Sequence, residues 1–121
     1  MSANSYENGY SIENVLEDTY DNYYTAEKGN SIATITAKWD TPVNIGNIVL
    51  KENILCSQRI EKFAIDALKD GEFTEIFSGT VIGYKRIVPN LNIETDCIRI
   101  RITDSRTEPT LSFIGIYETV K

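Results

Sequence analysis

The segment IRIRIT alternates strictly between isoleucine and a charged or polar residue. Its three isoleucines fall on one side of an extended chain, and Arg99 and Arg101 fall on the other. This period of two does not fit an amphipathic helix, whose apolar stripe repeats about every 3.6 residues. The segment therefore predicts a β-strand with one face in the core and one face wet or paired.

The same period recurs in other segments that are rich in β-branched and aromatic residues. These segments are SIATITAKW, NIVLKENI, IEKFAIDAL, FTEIFSGT and TLSFIGIY. Turn signals fall at Thr41–Pro42, Lys69–Asp70–Gly71 and Thr103–Asp104–Ser105. IEKFAIDAL also fits a helical stripe, but the Asp–Gly pair followed by FTEIF favours a strand–turn–strand. About eight short strands at this spacing predict an all-β sandwich or barrel, in a single domain that spans residues 1–121.

The composition narrows the classes of function. The chain contains no histidine, which rules out Ser–His and Cys–His catalysis and histidine-ligated metals. The sequence pairs no two carboxylates as acid and base, and its glycines form no phosphate loop. A net charge of −6 repels nucleic acid and anionic lipid, so neither is an expected partner. The apolar runs are too short to cross a bilayer, and no signal peptide is visible at the N-terminus.

Acidic residues are concentrated near the N-terminus. Six of the 18 carboxylates lie in residues 1–30, where Lys28 is the one basic residue. Clustered carboxylates near a turn can hold a calcium ion. The candidate ligands are Glu17, Asp18, Asp21 and Asn22. The alternative is a solvated acidic face.

The two cysteines do not have the spacing of a zinc site. Cys56 and Cys97 could form one disulfide or remain two free thiols. Cys97 falls in a strand pattern, which predicts a buried side chain that behaves as a small hydrophobe.

Polar residues cluster where ENILCSQRIEKF and GYKRI interrupt the apolar runs. The candidate ligand-binding or docking residues of these two segments are Glu52, Asn53, Gln58, Arg59, Tyr84, Lys85 and Arg86. Two interpretations are open. The two arginines could reach a ligand at the end of the sandwich, or they could form fork-like pairs with a carboxylate. The second is favoured, with Glu52 as the partner, because Glu52 otherwise ends an apolar strand uncompensated.

Four ordered segments resemble one known family. They are ENVLEDTYDNYYTAE, KENILCSQRIEKFAID, SGTVIGYKRI and CIRIRITDSRTEPTLSFIGIY. In this order and spacing they resemble the discoidin-like domain, of the factor V/VIII type C class, at the C-terminus of many bacterial and plant α-L-fucosidases of glycoside hydrolase family twenty-nine. The pair ENI…QRI and IGYKRI points to this fucosidase-associated branch.

The resemblance implies a jelly-roll β-sandwich of the galactose-binding-like type, in agreement with the periodicity. It also implies a non-catalytic accessory domain, because the hydrolytic carboxylates of these fucosidases sit in a separate (β/α) barrel. The expected roles are to dock on that catalytic barrel, to stabilise it and to hold glycan near it, in a secreted or periplasmic parent protein. The alternative is an autonomous carbohydrate-binding module for galactosylated or fucosylated glycans. A discoidin-type adhesion domain is disfavoured because no exposed hydrophobic spike loop is evident.

The sequence departs from the family pattern in its N-terminal turn. Glu17–Asp18 stands where related modules have Asp–Gly, Asn22 where they have Thr, and Tyr24 where they have Trp. Phe113 occupies the position where a late Glu is common in a structural calcium site. These departures predict weak or no calcium binding, and no other cofactor is expected.

Overall fold

The computed structural model describes residues 2–3, 23–53, 59–83, 85–89 and 91–118. Within these ranges the chain is all-β, as predicted, and has no helix. The strands are β1 Ser2–Ala3, β2 Tyr24–Thr25, β3 Ala33–Lys51, β4 Ile60–Lys69, β5 Glu72–Gly79, β6 Arg86–Val88, β7 Ile93–Ser105, β8 Thr110–Leu111 and β9 Phe113–Glu118. β1, β2 and β8 have only 2 residues each, so the longer strands carry the fold.

The 19-residue strand β3 serves both layers of the sandwich. Its first half pairs with β7, and its second half pairs with β6 and β9. The larger layer has the order β1-β3-β7-β4-β5, in which all neighbours are antiparallel. β6 and β9 pair with the second half of β3 to form the smaller layer, which is joined through β3 to the larger one in a single seven-stranded sheet. Buried side chains from both layers form one core cluster, as expected for a sandwich.

The predicted turn at Thr41–Pro42 is wrong, because β3 continues through it. The pairing with β7 shifts register between Lys38 and Val43, as at a β-bulge. A proline has no amide to donate, so it is tolerated where a ladder is interrupted. The predicted turn at Thr103–Asp104–Ser105 is also misplaced, since β7 extends to Ser105 and the chain bends at residues 106–108.

β4 and β5 form the predicted hairpin. Lys69 pairs with Glu72, which leaves a two-residue loop. Asp70 and Gly71 have φ angles of 52° and 82°. Two positive φ angles in such a loop are typical of a type I′ turn, whose twist matches that of the flanking strands. The local Asp–Gly signal thus resolved the ambiguity between strand and helix.

The core follows the predicted alternation. Ile98, Ile100 and Ile102 of β7 are at most 2% exposed, and burial of each contributes about 1.5–3 kcal/mol. The prediction that Cys97 is a buried small hydrophobe is confirmed. Its thiol is free, and burial raises its pKa.

The outward face of the larger layer carries a charge cluster around Asp66 of β4, whose side chain is 3% exposed. Its carboxylate accepts hydrogen bonds from Nε of Arg99 at 2.8 Å and from Nε of Arg101 at 2.7 Å. Arg101 also donates to Glu75 at 2.9 Å, and the guanidinium of Arg99 stacks 4.1 Å from the ring centroid of Phe73. Burial by itself would raise the pKa of Asp66, but the hydrogen bonds from both arginines outweigh it and lower the pKa.

Candidate functional site

The candidate site lies where the end of β3, the start of β4 and the start of β6 meet. The structure describes five of its seven predicted residues, namely Glu52, Asn53, Arg59, Lys85 and Arg86. Gln58 and Tyr84 lie outside the described residues. Hydrogen bonds of the Glu52 carboxylate link the three chain segments.

Glu52 is the centre of the site. It is 0% exposed, although it follows directly after a strand end. Its Oε1 accepts the backbone amides of Arg59 at 2.8 Å and Ile60 at 2.9 Å. Its Oε2 accepts the backbone amide of Gly83 at 2.7 Å. One side chain therefore fixes the entry into β4 and the loop that precedes β6.

The backbone around Glu52 is fixed as well. Its amide donates to the carbonyl of Gly83 at 2.9 Å, which makes the contact between these two residues reciprocal. The hydroxyl of Ser112 donates to the Glu52 carbonyl at 3.3 Å, and the Ser112 amide donates to the Lys51 carbonyl at 2.8 Å. Asn53 is 1% exposed. Neither Glu52 nor Asn53 presents its side chain to solvent.

These contacts correct the prediction that Glu52 pairs with an arginine guanidinium. The described partners of its carboxylate are the backbone amides of Arg59, Ile60 and Gly83. A buried carboxylate that accepts several amide hydrogen bonds is stabilised in the same way as by a cation. The bidentate arginine pair that the structure shows joins Arg101 to Asp66, and the sequence did not predict it.

Arg59 faces the loop that connects β7 to β8. Its Nη1 donates to the Glu108 carbonyl at 3.0 Å, and its own carbonyl accepts the Arg106 amide at 2.9 Å. A groove of about 220 Å³ lies beside this contact. The residues that line it are Thr25, Ala26, Lys28, Arg59 and Glu108.

The carboxylate of Glu108 is held in place on this groove. The Thr107 hydroxyl and the Gly29 amide both donate to it, the latter at 2.8 Å. These hydrogen bonds, led by that from Thr107, lower the pKa of Glu108 to about 2. The groove therefore carries a fixed negative charge next to Arg59.

Arg86 lies at the open edge of the sandwich. It pairs with the buried Leu50, so its side chain starts on the core side of β6. Its guanidinium carbon lies 5.5 Å from the ring centroid of Phe77 in the opposite layer. Nε has no hydrogen-bond partner among the described residues. Arg86 thus bridges the two layers by stacking, while Lys85 beside it is exposed.

The candidate calcium ligands Glu17, Asp18, Asp21 and Asn22 lie outside the described residues. In the described part of the chain, no three acidic or cysteine side chains are grouped so that they could hold a metal ion. Weak or absent calcium binding stays a prediction. A search of the same part finds no helix long and apolar enough to cross a membrane.

Sequence reasoning missed the residues that complete the site. Ile60 and Gly83 contribute through backbone amides, which every residue except proline has, so the sequence carries no signal for them. Ser112 contributes through a single hydroxyl, and one serine in a strand segment is too common to be a signal. Glu108 had only a weak signal, as an acidic residue before a proline.

Comparisons with known proteins agree with this description. No protein-family model matches the chain. Over 108 residues the chain is 30% identical to α-L-fucosidase 1 of Arabidopsis thaliana, a match that covers 87% of this chain and 21% of that protein. The chain thus spans about a fifth of this curated relative.

Solved structures show the same fold. A Ruminococcus gnavus GH29 fucosidase in complex with fucose has a TM-score of 0.87 at 21% identity, over 98% of this chain and 25% of that chain. The CBM32-1 and CBM32-2 domains of Clostridium perfringens ZmpB have a TM-score of 0.81 at 13% identity, over 98% of this chain and 33% of theirs.

The fold is a β-sandwich of the jelly-roll type that resembles discoidin-like domains. The chain matches the C-terminal, non-catalytic part of α-L-fucosidases of glycoside hydrolase family twenty-nine. The predicted resemblance is confirmed.

Proposed function

We propose that this chain works in a larger fucosidase-type glycoside hydrolase, as a single domain that docks on the catalytic barrel and stabilises it. The chain by itself hydrolyses no glycoside. The loop end built around Glu52 is its rigid scaffold, and Arg59 and Arg86 act in that scaffold.

This proposal rests on the hydrogen bonds that the Glu52 carboxylate accepts within the chain. Both of its oxygens are taken by backbone amides, and the residue is 0% exposed. A carboxylate that reads sugar hydroxyls must reach the ligand, and Glu52 is shut off from solvent. A loop end fixed from within keeps its shape without a ligand, which favours docking because little conformational entropy is lost.

A carbohydrate-binding module for galactosylated or fucosylated glycans is the second candidate. The groove of about 220 Å³ beside Arg59 favours this second function. Its lining places the hydrogen-bond donors Lys28 and Arg59 beside the acceptor carboxylate of Glu108. A domain of the same fold from C. perfringens ZmpB has been solved in complex with GalNAc, with a TM-score of 0.81.

The test compares the protein expressed from its whole reading frame with a version that lacks these 121 residues. We expect the shorter protein to retain hydrolysis of an aryl α-L-fucoside but to melt at a lower temperature. The isolated chain should release no nitrophenol above a blank. A reading frame without a hydrolase domain, or unchanged melting after removal of the chain, would contradict the proposal.

A further inference from the structure

The outer face of the smaller layer carries two aromatic rings that lie over a glycine. Phe113, Gly115 and Tyr117 project from the same face of β9, because alternate residues of a strand share a face. A Cβ added to Gly115 would lie 2.8 Å from the Phe113 ring. It would also lie 2.8 Å from both the ring edge and the hydroxyl of Tyr117. The rings therefore rest on the Gly115 backbone from opposite sides, where a larger residue would push them away.

Aliphatic side chains extend this surface across the layer. Val49 of β3 pairs with Gly115 on one side and with Ile87 of β6 on the other. Ile87 is 50% exposed and Tyr117 is 48% exposed. We call the outer surface of Val49, Ile87, Phe113, Gly115 and Tyr117 the aromatic platform.

Polar side chains stand at both ends of the aromatic platform. Asn47 pairs with Tyr117 and is exposed. Lys51 pairs with Phe113, and its Nζ lies 5.6 Å from the ring centroid. Both can donate hydrogen bonds just beyond the rings.

We propose that the aromatic platform is a saccharide-binding site. The apolar face of a pyranose stacks on Tyr117 and Phe113, while Asn47 and Lys51 donate to its hydroxyls. This inference deepens the accessory role proposed above and rests on it. It places glycan contact on the outer face of the smaller layer, away from the loop end that Glu52 fixes.

The size of the platform favours a saccharide over a protein. A stable protein interface buries roughly 800 Å² and about 20–30 residues on each partner. The platform offers four side chains, and the Cα atoms of Phe113 and Tyr117 are roughly 13 Å apart at the usual rise of a strand. That length suits one or two sugar rings. Tyr117 is 48% exposed, which leaves its ring accessible for the stacking that a pyranose face requires.

The test is an amide NMR titration of the 121-residue chain with N-acetylgalactosamine and, separately, with methyl α-L-fucoside. We expect one of the two to shift the amides of Gly115 and Tyr117. Tyr117→Ala and Tyr117→Ile should each weaken binding by on the order of tenfold, because isoleucine keeps apolar area but has no ring face. Tyr117→Phe should retain the affinity. Phe73→Ala removes an exposed aromatic side chain from the other layer and should leave the affinity for the sugar unchanged.

Three results would overturn the proposal. The first is that neither sugar shifts any amide. The second is that the shifts are confined to the amides of Arg59 and Lys85, and the third is that the Tyr117→Ala variant still binds the sugar. Loss of contact with the catalytic domain in Tyr117→Ala, without any sugar effect, would assign the platform to protein docking instead. The deletion test of the accessory role does not depend on these outcomes, so the two proposals fail separately.

Discussion

The carboxylate of Glu52 holds the backbone amide of Gly83 at 2.7 Å, although 31 positions separate the two residues in sequence. The same carboxylate also holds the amides of Arg59 and Ile60. A hydrogen bond to a charged group contributes about 1.5–3 kcal/mol, and an amide left unpaired on burial costs about 1–3 kcal/mol. The geometry of this end of the sandwich therefore depends on one side chain.

Replacement of Glu52 should accordingly be costly. Glu52→Gln preserves shape but turns one acceptor oxygen into an NH₂ group, which must then face a backbone amide. We expect the free energy of unfolding to fall by about 2–4 kcal/mol, measured by urea denaturation. Glu61→Gln is the matched control, since Glu61 forms an exposed pair with Arg106, and it should cost less than about 0.5 kcal/mol. Equal stability of the two variants would contradict the role of Glu52.

Asp66 should make stability depend on acid pH. Its pKa in the folded chain is lowered from the ordinary value of 3.8. The stabilisation is therefore present above that value and is lost as the pH falls through the folded pKa. In Asp66→Asn this acid-dependent loss should shrink, when unfolding is measured from about pH 6 to about pH 2.

At neutral pH Asp66→Asn should cost about 2 kcal/mol. That is below the cost of breaking a fully buried pair, because the arginines are about one-third exposed and can turn to water. An unchanged pH profile in Asp66→Asn would show that other carboxylates carry the acid sensitivity.

Two glycines should respond differently to the same substitution. A Cβ at Gly79 would lie 2.8 Å from the Phe63 ring and 3.3 Å from Nη2 of Arg86, and the Phe63 ring is 1% exposed, so it cannot swing into water. Gly79→Ala should therefore destabilise the chain by about 1–3 kcal/mol. Gly115→Ala meets only the outer ends of Phe113 and Tyr117, which can swing into water, so its melting temperature should fall less. The reverse order in a thermal melt would contradict the packing described for Arg86.

We propose that calcium has little effect on this chain. A ligand that binds only the folded state adds about 2.7 kcal/mol at a hundredfold excess over its Kd. The departures at Glu17–Asp18, Asn22 and Phe113 predict that the melting temperature in millimolar calcium equals that in chelator. A chelator-reversible rise would instead show that the acidic N-terminal segment forms a cation site.

Local patterns in the sequence predicted most of the fold. Alternation identified β7, and the Asp70–Gly71 pair identified the β4–β5 hairpin, because both signals lie within a few residues. The continuation of β3 through Pro42 was not predictable in this way, since it depends on where the ladder with β7 is interrupted. Resemblance of four segments supplied the family, which periodicity alone cannot give.

The site was predicted less well than the fold. The sequence identified Glu52 as unusual but assigned it a guanidinium partner, because amide groups leave no trace in a sequence. Asp66 was overlooked, although it is the one charged residue in the run FAIDAL. Its partners Arg99 and Arg101 are more than 30 positions away, so only strand pairing brings them together.

Arg59→Ala tests the scaffold account most directly, because Arg59 belongs to both interpretations of the loop end. Its Nη1 donates to the Glu108 carbonyl at 3.0 Å and so ties the start of β4 to the loop before β8. We expect Arg59→Ala to lower the free energy of unfolding by about 1–3 kcal/mol while the affinity for N-acetylgalactosamine or methyl α-L-fucoside stays unchanged. A variant as stable as the parent that no longer binds the sugar would contradict the account and assign the loop end to ligand binding.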